Sequence, residues 1–336
     1  MNDEQPDPLD GSSLPLREGD TGEAVADLQR RLGKLGFACE DPPGVFGAAT
    51  TAAVRAFQVD RGLPGDGRCA SETWAAIVEA GFGLGSRLLY RKTPMLRGDD
   101  VAELQNRLSQ LGFDTGRVDG IFGDQTVIAL QDFQKNAGLL ADGTLGPRTL
   151  DELERFSIRA GASGLVTPLR ERLAVARGSA DLRGRRIAVA EPGGFATGAS
   201  AVCRALRDAG AAAALSFSHP DPSRQAAEAN ATGVDCLVGL VLVPEVRSCS
   251  TAFYRGFRYE SAASRRLAEL VQSELPAALG LDDGGIAGMA LPILRETRMP
   301  AVEIQLGAPE VVVPKTTVLA RVVVTALIRW VGAAWE

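Results

Sequence analysis

The apolar positions of this chain follow two regimes that meet near residue 185. From Leu16 to about residue 156 they recur three and four apart, the stripe of amphipathic helices. Val25, Leu28, Leu32 and Leu35 show this spacing, and Gly36 then supplies a helix stop. The same set returns as Val101, Leu104, Leu108, Leu111 and Gly112, an offset of 76 residues. The register does not slip. Phe46-Gly47 returns as Phe122-Gly123, Thr50 as Thr126, Phe57-Gln58 as Phe133-Gln134, Asp66-Gly67 as Asp142-Gly143 and Thr73 as Thr149. A fixed offset over this span marks two copies of one unit. Each copy predicts three helices: Val25–Leu35, Ala48–Val59 and one opening near Ser71 as its N-cap, then Asp99–Gln110, Asp124–Asn136 and Gly146–Arg155.

From Arg185 onward, short apolar runs alternate with helical stripes, which predicts an α/β domain with a mostly parallel sheet flanked by helices. Strands are expected at Ile187–Ala190, Ala213–Phe217, Val234–Val243, Thr251–Arg255 and Ala301–Leu306. Helices are expected at Ala199–Ala209, Ser223–Ala231, Glu260–Leu279 and Lys315–Ala334, the last with Val318, Val322, Ala326, Ile328 and Trp330 inward. Asp282-Asp283-Gly284-Gly285 reads as a turn. The expected organisation is a disordered lead (1–15), a three-helix unit (16–80), a linker (81–95), a second unit (96–156), a linker with a short helix in Leu165–Ala176 (157–184) and the α/β domain (185–336).

Composition narrows the function. A formal charge of −6 without a long basic run argues against nucleic acid. The single histidine, His219, excludes any multi-histidine metal site. Five scattered cysteines, Cys39, Cys69, Cys203, Cys236 and Cys249, suit a reducing cytoplasm, with a Cys39–Cys69 bridge left open. The acidic N-terminus lacks a basic start and apolar stretch, so no export signal is expected. No stretch approaches the roughly 18 consecutive apolar residues of a membrane span.

The repeated pattern G-x-x-V-x-x-L-Q-x-x-L-x-x-L-G-F, followed by D-G-x-F-G-x-x-T and F-Q-x-x-x-G-L-x-x-D-G, resembles the peptidoglycan-binding module of bacterial cell-wall enzymes. The second unit fits best, with Asp119-Gly120-Ile121-Phe122-Gly123; the first has Pro43-Gly44 at the Asp-Gly position. The resemblance implies binding of wall glycan or stem peptide. Polar rim positions Asp119, Gln134 and Asp142 are the candidate ligand contacts. A structural use of the same motif is the competing reading, since Asp-Gly makes turns and Thr opens helices.

The α/β half resembles the zinc-dependent N-acetylmuramoyl-L-alanine amidases. The residues that carry this are Ile187…Pro192-Gly193, Arg224…Ala229-Asn230…Val234-Asp235 and, most specifically, Leu294–Gly307. The chemistry of that family is not retained. Its D-P-G-H-G-G motif becomes Glu191-Pro192-Gly193-Gly194, so glycine replaces a histidine ligand. The loop that carries a glutamate ligand shrinks to Phe195–Gly198, Val241 stands for a second histidine, and Gln305 replaces the catalytic glutamate. Glycine and valine offer zinc no atom, and glutamine accepts no proton. The expectation is a pseudoenzyme with no metal and no cofactor; the alternatives are an amidase with rearranged ligands or a simple peptidoglycan-binding protein.

Two such modules joined to an amidase-like domain resemble the actinobacterial CwlM-type regulators. That group implies a cytoplasmic protein that binds and activates the enolpyruvyl transferase MurA under kinase control, with peptidoglycan or its precursors as further partners. Family members can carry a longer C-terminal tail than this chain's, which ends at Glu336.

Overall fold

The computed structural model describes residues 14–160, 181–256 and 259–333. Most of the expected lead and the short helix within Leu165–Ala176 lie outside the described residues. The chain divides into two compact units, Met1–Ser163 and Gly164–Glu336.

The first unit holds the two repeats. Helices α1 (Glu23–Lys34), α2 (Ala48–Asp60) and α3 (Ser71–Ala80) form one, and α4 (Asp99–Gln110), α5 (Asp124–Asn136) and α6 (Pro147–Ala160) the other. Each apolar stripe closes its own core: Leu28, Leu32, Phe46, Phe57 and Trp74 in the first, Leu104, Leu108, Phe122, Phe133 and Leu153 in the second. The offset extends to ring geometry. Phe37 meets Phe57 edge-on at 5.5 Å, and Phe113 meets Phe133 at 5.7 Å. One expectation needs correcting: Ser71 lies inside α3, whose cap position is Ala70, with no side-chain cap bond. Arg61 of the first repeat donates to both carboxylate oxygens of Asp99 at 2.9 and 2.8 Å, tying α2 to the start of α4.

The second unit is a six-stranded sheet covered by helices. Its elements are β1 (Arg186–Glu191), α7 (Ala196–Asp208), β2 (Ala213–Ser218), α8 (Pro222–Thr232), β3 (Cys236–Val243), β4 (Ser248–Tyr254), α9 (Ala262–Gln272), α10 (Leu275–Leu279), β5 (Asp282–Met289), α11 (Pro292–Arg295), β6 (Ala301–Gly307), α12 (Pro309–Val312) and α13 (Thr316–Gly332). The strand order is β2-β1-β3-β6-β4-β5. β2, β1, β3 and β6 are parallel; β4 runs antiparallel to β6, and β5 pairs parallel with β4. Ile187, Val189, Val238, Val302 and Ile304 line one face, packed under α7, α9 and α13.

Several expectations differ from this. β5 replaces the expected Asp282–Gly285 turn: it is an edge strand whose only partner among the described residues is β4, with a register shift between Cys249 and Thr251. The expected helix Glu260–Leu279 is two helices, because Pro276 sits in the first turn of α10 and has no N–H to continue α9. Ile328 is 41% exposed and does not join the buried face of α13. Cys236 opens β3. By length and composition Pro309–Gly332 is apolar enough to cross a bilayer, but Leu319, Val323, Leu327 and Trp330 are buried in the sheet–helix core.

Candidate functional site

In the repeats, the polar residues of the motif converge on four glutamines, of which Gln58, Gln105 and Gln134 are buried and Gln29 half-buried. Gln134 is 1% exposed. Its Nε2 faces Asp142 Oδ1 (2.9 Å), the Thr144 carbonyl (3.1 Å) and Thr149 Oγ1 (3.2 Å), while Oε1 accepts from Gly143 N (2.9 Å). Gln58 repeats this with Asp66, the Arg68 carbonyl, Thr73 and Gly67. Gln105 Nε2 donates to Asp119 Oδ1 (2.9 Å) and the Ile121 carbonyl (3.1 Å), and its Oε1 accepts from Gly120 N (2.9 Å). Gln29 closes the matching loop on the Pro42 and Val45 carbonyls, Thr50 and Gly44 N. The first repeat, with Pro43-Gly44 at the Asp-Gly position, thus offers the Pro42 carbonyl where the second repeat offers the Asp119 carboxylate. A loop that must expose glycines at positive φ (Gly44 at 79°, Gly120 at 71°) needs such an anchor. The three candidate ligand residues therefore belong to two loop-holding clusters: Gln134 as the buried anchor on α5, Asp142 as its exposed partner in the following loop, and Asp119 half-buried against Gln105.

In the α/β domain, the expected site positions separate onto different faces. Glu191 follows Ile187 and Val189 in strand alternation, so it lies on the helix-covered side. It is 1% exposed. Its Oε2 accepts from Gly193 N (2.8 Å) and Phe195 N (3.1 Å), and Ser218 Oγ donates to its Oε1. Its backbone carbonyl takes Gln225 Nε2 at 2.8 Å. These bonds fix the Pro-Gly-Gly turn and aim Phe195 into the core, where it packs against Gly198; a Cβ there would stand 2.3 Å from the ring. Gly193 and Gly194 sit at φ 120° and 89°, with open space beside each.

Val241 and Gln305 are brought together on the opposite, half-exposed face, as direct neighbours between β3 and β6. Gln305 is flanked by Ser250 and Glu303: Ser250 Oγ donates to its Oε1 (3.3 Å), and its Nε2 donates to Glu303 Oε1 (3.2 Å). The Glu303 side chain lies over Gly239, whose missing Cβ leaves it room. This polar row crosses β4 and β6. Reading along β6 pairs Glu303 with Gln305, but Ser250 joins them only through the antiparallel register of β4.

The landmark residues prove to be joints of the scaffold. Asn230 donates to the Glu296 carbonyl and accepts from Arg298 N, both at 2.8 Å, locking α8 to the segment before β6. Asp235 accepts from Arg186 N at 2.7 Å at the start of β1. His219 lies after β2, its Nδ1 accepting from Asp221 N at 3.0 Å. The five cysteines are free thiols, and burial pushes Cys69 and Cys249 up to about 12.

Two small helical modules with glutamine-anchored loops, followed by a mixed sheet carrying the amidase landmarks, define a peptidoglycan-binding, amidase-like protein. Residues 21–77 and 97–153 match the family described as putative peptidoglycan binding domain. The Mycobacterium tuberculosis protein named N-acetylmuramoyl-L-alanine amidase CwlM is 34% identical over 342 residues, covering 90% of this chain and 84% of that one. The chain belongs to the family of that protein. The spore cortex-lytic enzyme of Bacillus cereus is 54% identical over 52 residues, 16% of this chain and 20% of its own. The crystal structure of an N-acetylmuramoyl-L-alanine amidase from Clostridium difficile covers 44% of this chain and 96% of its own, at 18% identity and a TM-score of 0.37.

A zinc ion of the kind this resemblance implies needs three N, S or O ligands and an open position. The residues here do not fit it. Gly194 and Val241 supply no donor, Gln305 supplies an amide, and Glu191 faces away with both carboxylate oxygens engaged. Among the described residues, no three His, Cys, Asp or Glu side chains gather into a metal-binding group.

Proposed function

We propose that this chain is a non-catalytic, amidase-like regulator or scaffold of peptidoglycan precursor synthesis. It acts in the cytoplasm, holds no zinc, and binds and activates the UDP-N-acetylglucosamine enolpyruvyl transferase MurA. The observation that carries the reading is the turn after β1. The acid at the head of the amidase motif is turned into the fold as a backbone clamp, while Val241 and Gln305 occupy the open face. Peptidoglycan or its precursors remain ligands of the repeats, on the strength of the matched module family. The test is to mix the purified chain with the transferase and measure its rate. A raised rate with a defined complex is the expected result; neither binding nor activation overturns the partner assignment.

A second reading has two observations in its favour. Glu303 places a carboxylate beside Gln305 on the half-exposed face, and the relatives are named amidases. This reading makes the chain a hydrolase with rearranged ligands, and it requires release of stem peptide from muramyl peptides that a chelator abolishes.

A further inference from the structure

The helix-covered side of the α/β domain carries a concavity that the site above does not use. α7 and α13 pack against each other and leave a groove of about 880 Å³ between their outward faces. Its floor is small and apolar: Ala201 and Ala205 from α7, Ala320 and Val324 from α13, each pair four residues apart. That spacing keeps each pair on one side of its helix. Ala320 and Val324 are buried beneath it, at 3% and 7% exposure. Its rim carries one exposed arginine from each wall, Arg204 and Arg321, and neither makes an ion pair among the described residues. By contrast, Arg265 on α9 pairs with Glu260 and Glu269, and Arg329 on α13 with Glu274. The only acid in the groove, Asp208, lies one turn beyond Arg204 and is paired with neither arginine.

We propose that this groove docks an amphipathic helix of a partner protein, with small or apolar residues on its ridge and acidic residues on its flanks. Three features select that occupant. A floor of alanine and valine lets a third helix approach closely and seat its ridge between two others. Beyond the first turn of α7, both walls are helices whose backbone groups are already bonded, so an extended peptide finds no sheet edge for its own N–H and C=O groups; a helix brings its bonds closed. Two unpaired cations facing one trough, on a chain of formal charge −6, favour acid on the incoming flank. The inference stands on the groove alone and does not require the transferase to be the partner.

The test uses the full chain and two synthetic, helix-stapled peptides with one alanine–leucine ridge, flanked by Glu in one and by Lys in the other. Binding is read by fluorescence anisotropy at low and high salt. The Glu-flanked peptide is expected to bind and to weaken with salt. The R204E/R321E double variant should bind it about tenfold less well and gain the Lys-flanked peptide, the signature of charge complementarity. Ala205→Trp, or Thr317→Trp on the exposed rim, should block the Glu-flanked peptide, with unchanged thermal melting showing that each variant is folded. Equal binding of both peptides, binding of neither, or charge reversal without effect overturns the proposal. So does self-association of the wild-type chain that Ala205→Trp dissolves, since a second copy would then be the occupant.

Discussion

The glutamines of the repeats and the glutamine of the sheet make an instructive pair. Gln29, Gln58, Gln105 and Gln134 each use the whole amide to hold a loop, with bonds of 2.8–3.3 Å to backbone and side-chain groups. Gln29 is half-buried and the other three are buried; Gln305 lies half-exposed, with only one bond to each of two side-chain neighbours, at 3.3 and 3.2 Å. In the repeats, a polar side chain inside the fold is saturated, because an orphaned buried amide is expensive. On the open sheet face, water can replace either partner. Position in a motif therefore says little about role; burial and saturation say more.

The largest effect should come from breaking a loop anchor. Gln105→Ala or Gln134→Ala strands a loop's N–H and carbonyl groups in the interior and should cost about 2–4 kcal/mol. Calorimetry should show the repeat unit melting earlier while the α/β transition stays in place. Gln305→Ala, by the same measurement, should cost less than about 1 kcal/mol, since its partners are open to water. Equal losses at Gln105 and Gln305 would erase the contrast.

Glu191 sharpens it from within the α/β domain. Its carboxylate holds two N–H groups and the Ser218 hydroxyl, so Glu191→Gln should cost about 1–3 kcal/mol and raise amide exchange at Gly193 and Phe195. An unchanged turn would mean that Glu191 is free for chemistry after all. Gly194→His should cost a further, smaller amount, roughly 1–2 kcal/mol, because φ is 89° there although the surrounding space is open. Urea unfolding measures it directly, and no loss would show that the backbone still accommodates a side chain at that position.

The smallest effect separates the two repeats. Asp41 accepts from Thr50 N and Gly47 N at the start of α2, which holds its carboxyl below the usual carboxylate range. With the folded value below the unfolded one, the stabilisation is complete above the unfolded pKa of about 3.9 and is lost as pH falls through the folded value. The second repeat has Arg117 at the matching position, so this carboxylate contact with the first turn of the helix belongs to the first repeat. Amide exchange below about pH 4 should loosen α2 before α5. Simultaneous loosening would remove the distinction.

Much of this was legible in the sequence. The fixed offset gave both repeats and their helices, since period and register are local properties of the chain. The parallel core strands were legible because they are uninterrupted apolar runs. The edge strand β5 was not: Asp282-Asp283-Gly284-Gly285 carries turn residues, and only pairing with β4 holds it extended. The break before α10 had a visible signal in Pro276. Gln134 was noticed as polar and repeated, but spacing alone does not tell a ligand contact from a buried anchor; its position beside Phe133 in a core-facing stripe was the available hint. The inward turn of Glu191 depends on the N–H groups of Gly193 and Phe195, and no residue pattern encodes their direction.

The central claim is that the open strand ends of the α/β domain carry no hydrolytic chemistry. The most direct measurement is release of stem peptide from purified muramyl peptides by the full chain with zinc supplied. The account predicts no release above the protein-free control. Release that a chelator abolishes and fresh zinc restores would contradict it.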